Sequence, residues 1–146
     1  MAAKIPYDRI LVATDGSTSA TAAIDHTAGI AEAADASVDL VHVVDRRIIV
    51  AADDEMREEL RDSLLETGET LLAAGSEQLG RISHHTHLLS GTPSKEILSF
   101  ATEHDVDLIV IGRSGKSPRE KLMGMGSVSE RVVDGAPLPV LVVRAD

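Results

Sequence analysis

A chain of 146 residues suits one domain with one core, and its 43% hydrophobic content must build that core from Val, Ile, Leu and Ala, because Tyr7 and Phe100 are its only Phe, Tyr or Trp residues. There is no cysteine, which excludes disulfides and thiolate metal sites, and neither a signal-peptide stretch at the start nor an apolar run near the ~20 residues of a membrane span is present, so a cytoplasmic location and no membrane partner are expected. A formal charge of −10, from 24 acidic and 14 basic residues, argues against nucleic acid as a partner. The lysines number only four (Lys4, Lys95, Lys116 and Lys121), a balance expected of a salty cytosol and equally of an ordinary acidic bacterial protein.

Strands and helices alternate along the chain. Residues 10–13 form a short apolar run that ends in the turn cluster Thr14-Asp15-Gly16-Ser17. From 17 to 34, Ala20, Ile24, Thr27, Ala31 and Ala34 recur at helical spacing. Residues 38–44 read as the second strand, and 45–54, without clear periodicity, as a surface excursion. A long amphipathic helix is expected over 54–78, with Met56, Leu60, Leu64, Thr67, Leu71 and Ala74 as its apolar stripe. A weaker strand covers 86–89. Thr92 and Pro93 then serve as N-cap and first residue of a helix running to about 104. Residues 107–112 are the clearest strand, and the unbroken Leu108-Ile-Val-Ile111 implies burial on both faces, as in a parallel sheet. After a glycine-rich loop over 113–126, Ser127-Val-Ser-Glu130 reads as a capping box with Ser127 at the N-cap, opening a helix that stops near Gly135. The last strand is 140–143. A βα alternation of this kind, with no repeat or linker, implies a single α/β domain over 1–146 whose parallel sheet is covered by helices.

Open parallel sheets bind ligands beyond the carboxyl ends of their strands, where the strand order reverses. Two such ends carry distinctive residues: Thr14-Asp15-Gly16-Ser17, and Gly112-Arg113-Ser114-Gly115 with Gly126-Ser127 beyond it. Gly112 and Gly115 lack Cβ atoms, so their backbone amides can approach an anion, and Gly126-Ser127 opens a helix whose N-terminus favours negative charge. Arg113, Lys116, Arg119 and Lys121 make this loop positive on an acidic protein, which suits a polyphosphate, although a glycine-punctuated connection with solvated charges has the same pattern. Asp15 can accept hydrogen bonds from a ribose or an adenine, or merely close a turn.

Several segments together resemble the universal stress protein family: Arg9-Ile-Leu-Val-Ala-Thr-Asp-Gly-Ser17, Val41-His-Val-Val-Asp45, Gly91-Thr-Pro-Ser-Lys-Glu-Ile97, 106–115, 126–133 and the closing 138–143. The resemblance runs through nearly the whole chain in the same order. It implies a Rossmann-like domain with a five-stranded, mostly parallel sheet of order 3-2-1-4-5, helices on both faces, and ATP, with Mg, as cofactor. Asp15 and the backbone of Val43 would hold the adenosine end; Ile111 and Gly112 would line the nucleotide; Gly115, Gly126, Ser127 and Val128 would hold the phosphates, with Arg113 and Ala13 beside them. The sequence departs from the family pattern in two places. Ten rather than nine residues separate Gly115 from Gly126-Ser127, and Ala13 stands where many members have proline. The resemblance also implies a homodimer through the edge strand 140–143 and a role in stress response or signalling with protein partners that the sequence does not name.

Other features read as structural. Gly115-Lys116-Ser117 lacks the glycine that a P-loop needs five residues earlier, since Val110 stands there. His84, His85 and His87 could be surface histidines or, less simply, His85 and His87 on one strand face could share a metal; His42 reads as a packed interior histidine, and Leu122-Met-Gly-Met125 as a flap or a gap-filler. Asp53-Asp54-Glu55 reads as a solvated helix start. No nucleophile has an evident base nearby, so a dedicated enzyme is not expected; slow ATP turnover and a dimeric interaction module that binds no nucleotide are the competing readings.

Overall fold

Each apolar run marked as a strand finds its partners in one sheet. In the computed structural model, which describes residues 3–114 and 125–145, the strands are β1 (Arg9–Ala13), β2 (Ser37–Asp45), β3 (His84–Gly91), β4 (Leu108–Gly112) and β5 (Val140–Val143). Their order is β3-β2-β1-β4-β5 and all adjacent pairs are parallel, with Val12 opposite Leu40 on one side and Val110 on the other. The helices among the described residues are α1 (Thr18–Ala34), α2 (Arg46–Ala51), α3 (Asp54–Leu79), α4 (Pro93–Glu103) and α5 (Ser127–Gly135).

Successive strand residues face opposite sides of the sheet, and two cores result. Ile10, Val12, Val38 and Leu40 pack against Ile24 of α1 and Leu72 of α3. Leu11, Val41, Ile109 and Ile111 pack against Ile97 and Phe100 of α4 and Val132 of α5. Every residue of β4 is buried, as its unbroken apolar run implies.

In α3 the sheet-facing residues are Gly68, Leu72, Gly75 and Leu79, not the predicted stripe, and Met56 is 54% exposed. A Cβ on Gly68 would lie 2.7 Å from Leu88 Cδ1 and 2.8 Å from His42 Cδ2, and one on Gly75 2.7 Å from Leu40 Cδ2. The two glycines let the helix approach the sheet closely, so the contact face carries less hydrophobicity than its flanks. The expected surface excursion at 45–54 contains α2. Asp45 caps it by accepting from the Arg47 amide at 3.0 Å while also pairing with the Arg47 guanidinium at 2.8 Å. That pairing holds the Asp45 carboxyl below the usual range. The β3 ladder is longer than expected because β2 supplies partners from Val38 to Asp45.

Two expectations for α5 are corrected. Gly126, not Ser127, is the N-cap, and no side chain caps the helix; Ser127 is its first residue. Gly135 is the last helical residue rather than a glycine past the end, and its missing Cβ makes room for Leu98 Cδ1, which one would approach to 2.8 Å. In α4, Thr92 is the N-cap and Pro93 the first residue as expected, but the Thr92 hydroxyl makes no capping bond.

One polar cluster lies in the sheet. The Asp39 carboxylate, its side chain 2% exposed, accepts from Arg9 Nε at 2.6 Å and from Arg9 Nη2 at 3.2 Å, and pairs with His87 Nε2 at 2.8 Å. Burial pushes the Asp39 carboxyl up, but the bonds from Arg9 and His87 outweigh it and hold the group below the usual carboxylate range. His87 lies 4.6 Å from Phe100, which stacks on His104 at 3.9 Å. His84 bonds Ser76 and the Ile82 carbonyl, and His85 is exposed, so the three neighbouring histidines go separate ways.

Candidate nucleotide site

The carboxyl ends of β1, β2 and β4 open into one cleft of about 160 Å³. It lies where the strand order reverses, since β1 leads outward to β2 on one side while β4 begins the other half.

The β1 end is built by a tight turn. The Thr14 amide donates to the Val41 carbonyl at 2.9 Å, the last rung of the ladder. Gly16, at φ 78°, then turns the chain with its amide on the Thr14 hydroxyl, while Asp15 Oδ1 accepts from the Ser17 amide at 2.9 Å. Ser17 caps α1 by accepting from the Ala20 amide. Asp15 therefore does close a turn, but with one oxygen; the other has no partner among the described residues and the residue is exposed. Val43 lies two residues beyond Val41 on β2. Because a strand's backbone groups point to alternate sides, its N–H and C=O point as those of Val41 do, toward the space where β1 has already ended. His42 Nδ1 stands 2.7 Å from the Thr14 carbonyl. A carbonyl only accepts, so Nδ1 carries the proton and the ring pins the turn to β2. Val41, Val43, Pro93, Ile97 and Ile111 supply apolar walls.

The opposite end is the start of α5, whose first N–H groups have no acceptor within the helix. Ser129 donates its hydroxyl to the Gly112 carbonyl and Ser19 donates to the Ser114 carbonyl, so the starts of α5 and α1 are both tied to the exit of β4. The missing Cβ of Gly112 faces α1: one placed there would lie 2.7 Å from Ser19 C and 2.8 Å from Ala20 N. The absence of a Cβ there lets helix pack closely on strand, while Gly112 also lines the cleft. The Gly126 amide donates to the Arg113 carbonyl at 2.7 Å, which closes the neck of the segment between them and takes that amide out of any anion cradle.

Of the ten positions expected to touch a nucleotide, Ala13, Asp15, Val43, Ile111, Gly112, Gly126 and Val128 line this cleft. Arg113 and Ser127 flank it without lining it, and Gly115 lies outside the described residues, as do Lys116, Arg119, Lys121 and the 122–124 part of the expected flap. Sequence reasoning assigned no role to Pro93 and Ile97, although the Thr-Pro helix start after a strand was a signal, nor to Ser129, two positions beyond Ser127. The arrangement offers a nonpolar slot with a carboxylate at its rim and a helix N-terminus across from it. Such a shape suits a flat, hydroxyl-bearing group joined to an anion.

The universal stress protein family model matches residues 6–144. The chain belongs to that family. A universal stress protein of Methanocaldococcus jannaschii is 39% identical over 142 residues, 94% of this chain and 82% of that protein. The solved structure of MJ0577, another protein of that organism, superposes with a TM-score of 0.85 at 30% identity, covering 97% of this chain and 99% of that one. The universal stress protein of Archaeoglobus fulgidus in complex with dAMP superposes with a TM-score of 0.68 at 25% identity, covering 95% and 99%.

Proposed function

We propose that this universal stress protein holds ATP, with Mg, in the switch-point cleft and works as a nucleotide-dependent regulator of stress or signalling partners in the cytoplasm. The observation that carries this is the meeting of Asp15 and the Val43 backbone with the first turn of α5 across one apolar slot. The base would lie between Val43, Pro93 and Ile97, the ribose hydroxyls would donate to Asp15, and the phosphates would meet the amides of Val128 and Ser129, with Ser127 and Gly115 completing the cradle. The dAMP complex of the Archaeoglobus fulgidus relative supports an adenine nucleotide in this fold. Phosphates brought beside Arg113 and the basic residues that follow it in sequence would change the surface met by partners. A homodimer through β5, with Leu138, Val140 and Val142 only partly covered, belongs to the same reading. So does a source with a salty cytosol, given the charge of −10.

Calorimetric titration of ligand-free protein with Mg-ATP tests this. Saturable binding is expected, weakened at least about tenfold by Asp15→Ala, because a hydrogen bond to a charged group contributes roughly 1.5–3 kcal/mol. A flat titration overturns it. A flat result would favour the second reading, an interaction module without nucleotide, for which the engaged Gly126 amide and the longer 115–126 spacing speak.

A further inference from the structure

We propose that the groove between α2, α3 and the end of β3 is a second anion site, taking a phosphoryl group. It is lined by Arg46, Arg57 and Arg61 with Ile49, Val50 and Ser90, and has a volume of about 480 Å³. It shares no lining residue with the nucleotide cleft, which opens at β1, β2 and β4. The inference does not depend on what that cleft binds.

Three guanidinium groups in one groove repel one another, and on a chain carrying 24 acidic residues neighbouring carboxylates would be expected to neutralise them. Among the described residues, neither Arg46 nor Arg61 has a carboxylate partner. Arg57 is held from behind: Nε donates to the Ala52 carbonyl at 3.1 Å, Nη2 to the Val50 carbonyl at 2.9 Å, and Nη1 pairs with Asp54 at 2.6 Å. A guanidinium has five N–H donors, so Arg57 keeps two to offer from a fixed position. Arg61 stands one helical turn further along the same face of α3, and Arg46 faces it from the start of α2. The Ser90 hydroxyl, exposed at the end of β3, adds a neutral donor.

The uncompensated charge is therefore close to two, from Arg46 and Arg61, since Asp54 offsets Arg57. A single carboxylate would leave half of it unmatched. A phosphoryl dianion matches it, and its oxygens fit the planar fork of arginine. The same group could come from a free polyphosphate or from a phosphorylated side chain of a partner.

The test uses the full chain with arginine Nε labelled with ¹⁵N, titrated at fixed ionic strength with inorganic pyrophosphate and, separately, with phosphoserine. The Arg46, Arg57 and Arg61 signals should move together and saturate, with a midpoint near or below about 1 mM for the better probe. Arg46→Ala/Arg61→Ala should weaken that binding at least tenfold. Because both side chains are exposed and mutually repelling, the double variant should melt no lower than the parent, a result that a structural role for the two arginines would not produce. Tighter pyrophosphate binding points to a free polyphosphate, and tighter phosphoserine binding to a phosphorylated partner. Shifts that stay linear with both probes, or binding unchanged in the double variant, overturn the proposal.

Discussion

Replacing Arg9 with Met tests the polar cluster of the sheet. The Asp39 side chain is 2% exposed, so the variant strands a buried carboxylate with only His87 to oppose it. Removing one partner of a buried pair costs about 3–5 kcal/mol, and the hydrogen bond that His87 keeps with Asp39 puts the expectation at about 3 kcal/mol. Asp39→Asn should cost less, about 1–2 kcal/mol, because the stranded group is then Arg9, whose side chain is 35% exposed and can turn to water. The sign of the pH dependence also changes. In the parent the Asp39 carboxyl is held below its ordinary range, so its contribution is present above the unfolded carboxylate pKa and is lost as pH falls through the lower folded value. Without Arg9, burial pushes the Asp39 carboxyl up and folding favours its protonated form; the stability this proton brings is present at low pH and lost as pH rises. The deficit of Arg9→Met should therefore be larger at pH 8 than at pH 5. Urea unfolding followed by far-UV circular dichroism measures it, the chain having no tryptophan. A deficit smaller than that of Asp39→Asn, or one that does not change with pH, would refute the reasoning. Arg9→Met/Asp39→Leu should recover most of the loss, since an apolar pair can replace a buried ionic one at little cost.

Gly112→Ala should lower stability by about 1–3 kcal/mol, because the new methyl meets the Ser19 hydroxyl and, behind it, backbone atoms at the start of α1 that cannot swing aside; an unchanged urea midpoint would show that the helix can yield. Val142→Pro should yield monomers by light scattering while the fold persists. The Ile109 amide bonds the Pro139 carbonyl and the Arg113 amide the Val143 carbonyl, so odd-numbered β5 residues face β4 and the Val142 amide faces the free edge. A parent that is already monomeric, or a proline variant that still dimerises, would count against pairing through this edge. With a net charge of −10, raising sodium chloride from 0.05 to about 1 M should raise the melting temperature, and a fall would count against self-repulsion as the dominant surface term.

The sheet was legible because its strands are short Val, Ile and Leu runs separated by helical spacing, and Leu108-Ile-Val-Ile111 announced its own burial. The α1 face was legible for the same reason, with Ala20, Ile24, Thr27 and Ala31 all buried. The α3 face was not, since Gly68 and Gly75 make contact by having no side chain, and a hydrophobic count passes over them in favour of Leu71 and Met56. Gly112 carries a second restraint, close packing against α1, that no local pattern could reveal. Asp39 escaped notice because its partners lie 30 and 48 residues away in sequence. The two ends of the cleft were visible as turn and glycine clusters; its apolar wall from α4 belongs to a helix whose position over the sheet is set by tertiary packing.

The 2.7 Å contact between the Gly126 amide and the Arg113 carbonyl works as a clasp between the exit of β4 and the entrance to α5. Since doubling a closed loop costs only about 0.6 kcal/mol, one inserted residue above the clasp alters the closure entropy by about a tenth of that. Length in that stretch can thus drift among relatives at almost no thermodynamic penalty while β4 and α5 keep their mutual placement. Grafts exchanged between those two residues should leave the rest of the architecture standing.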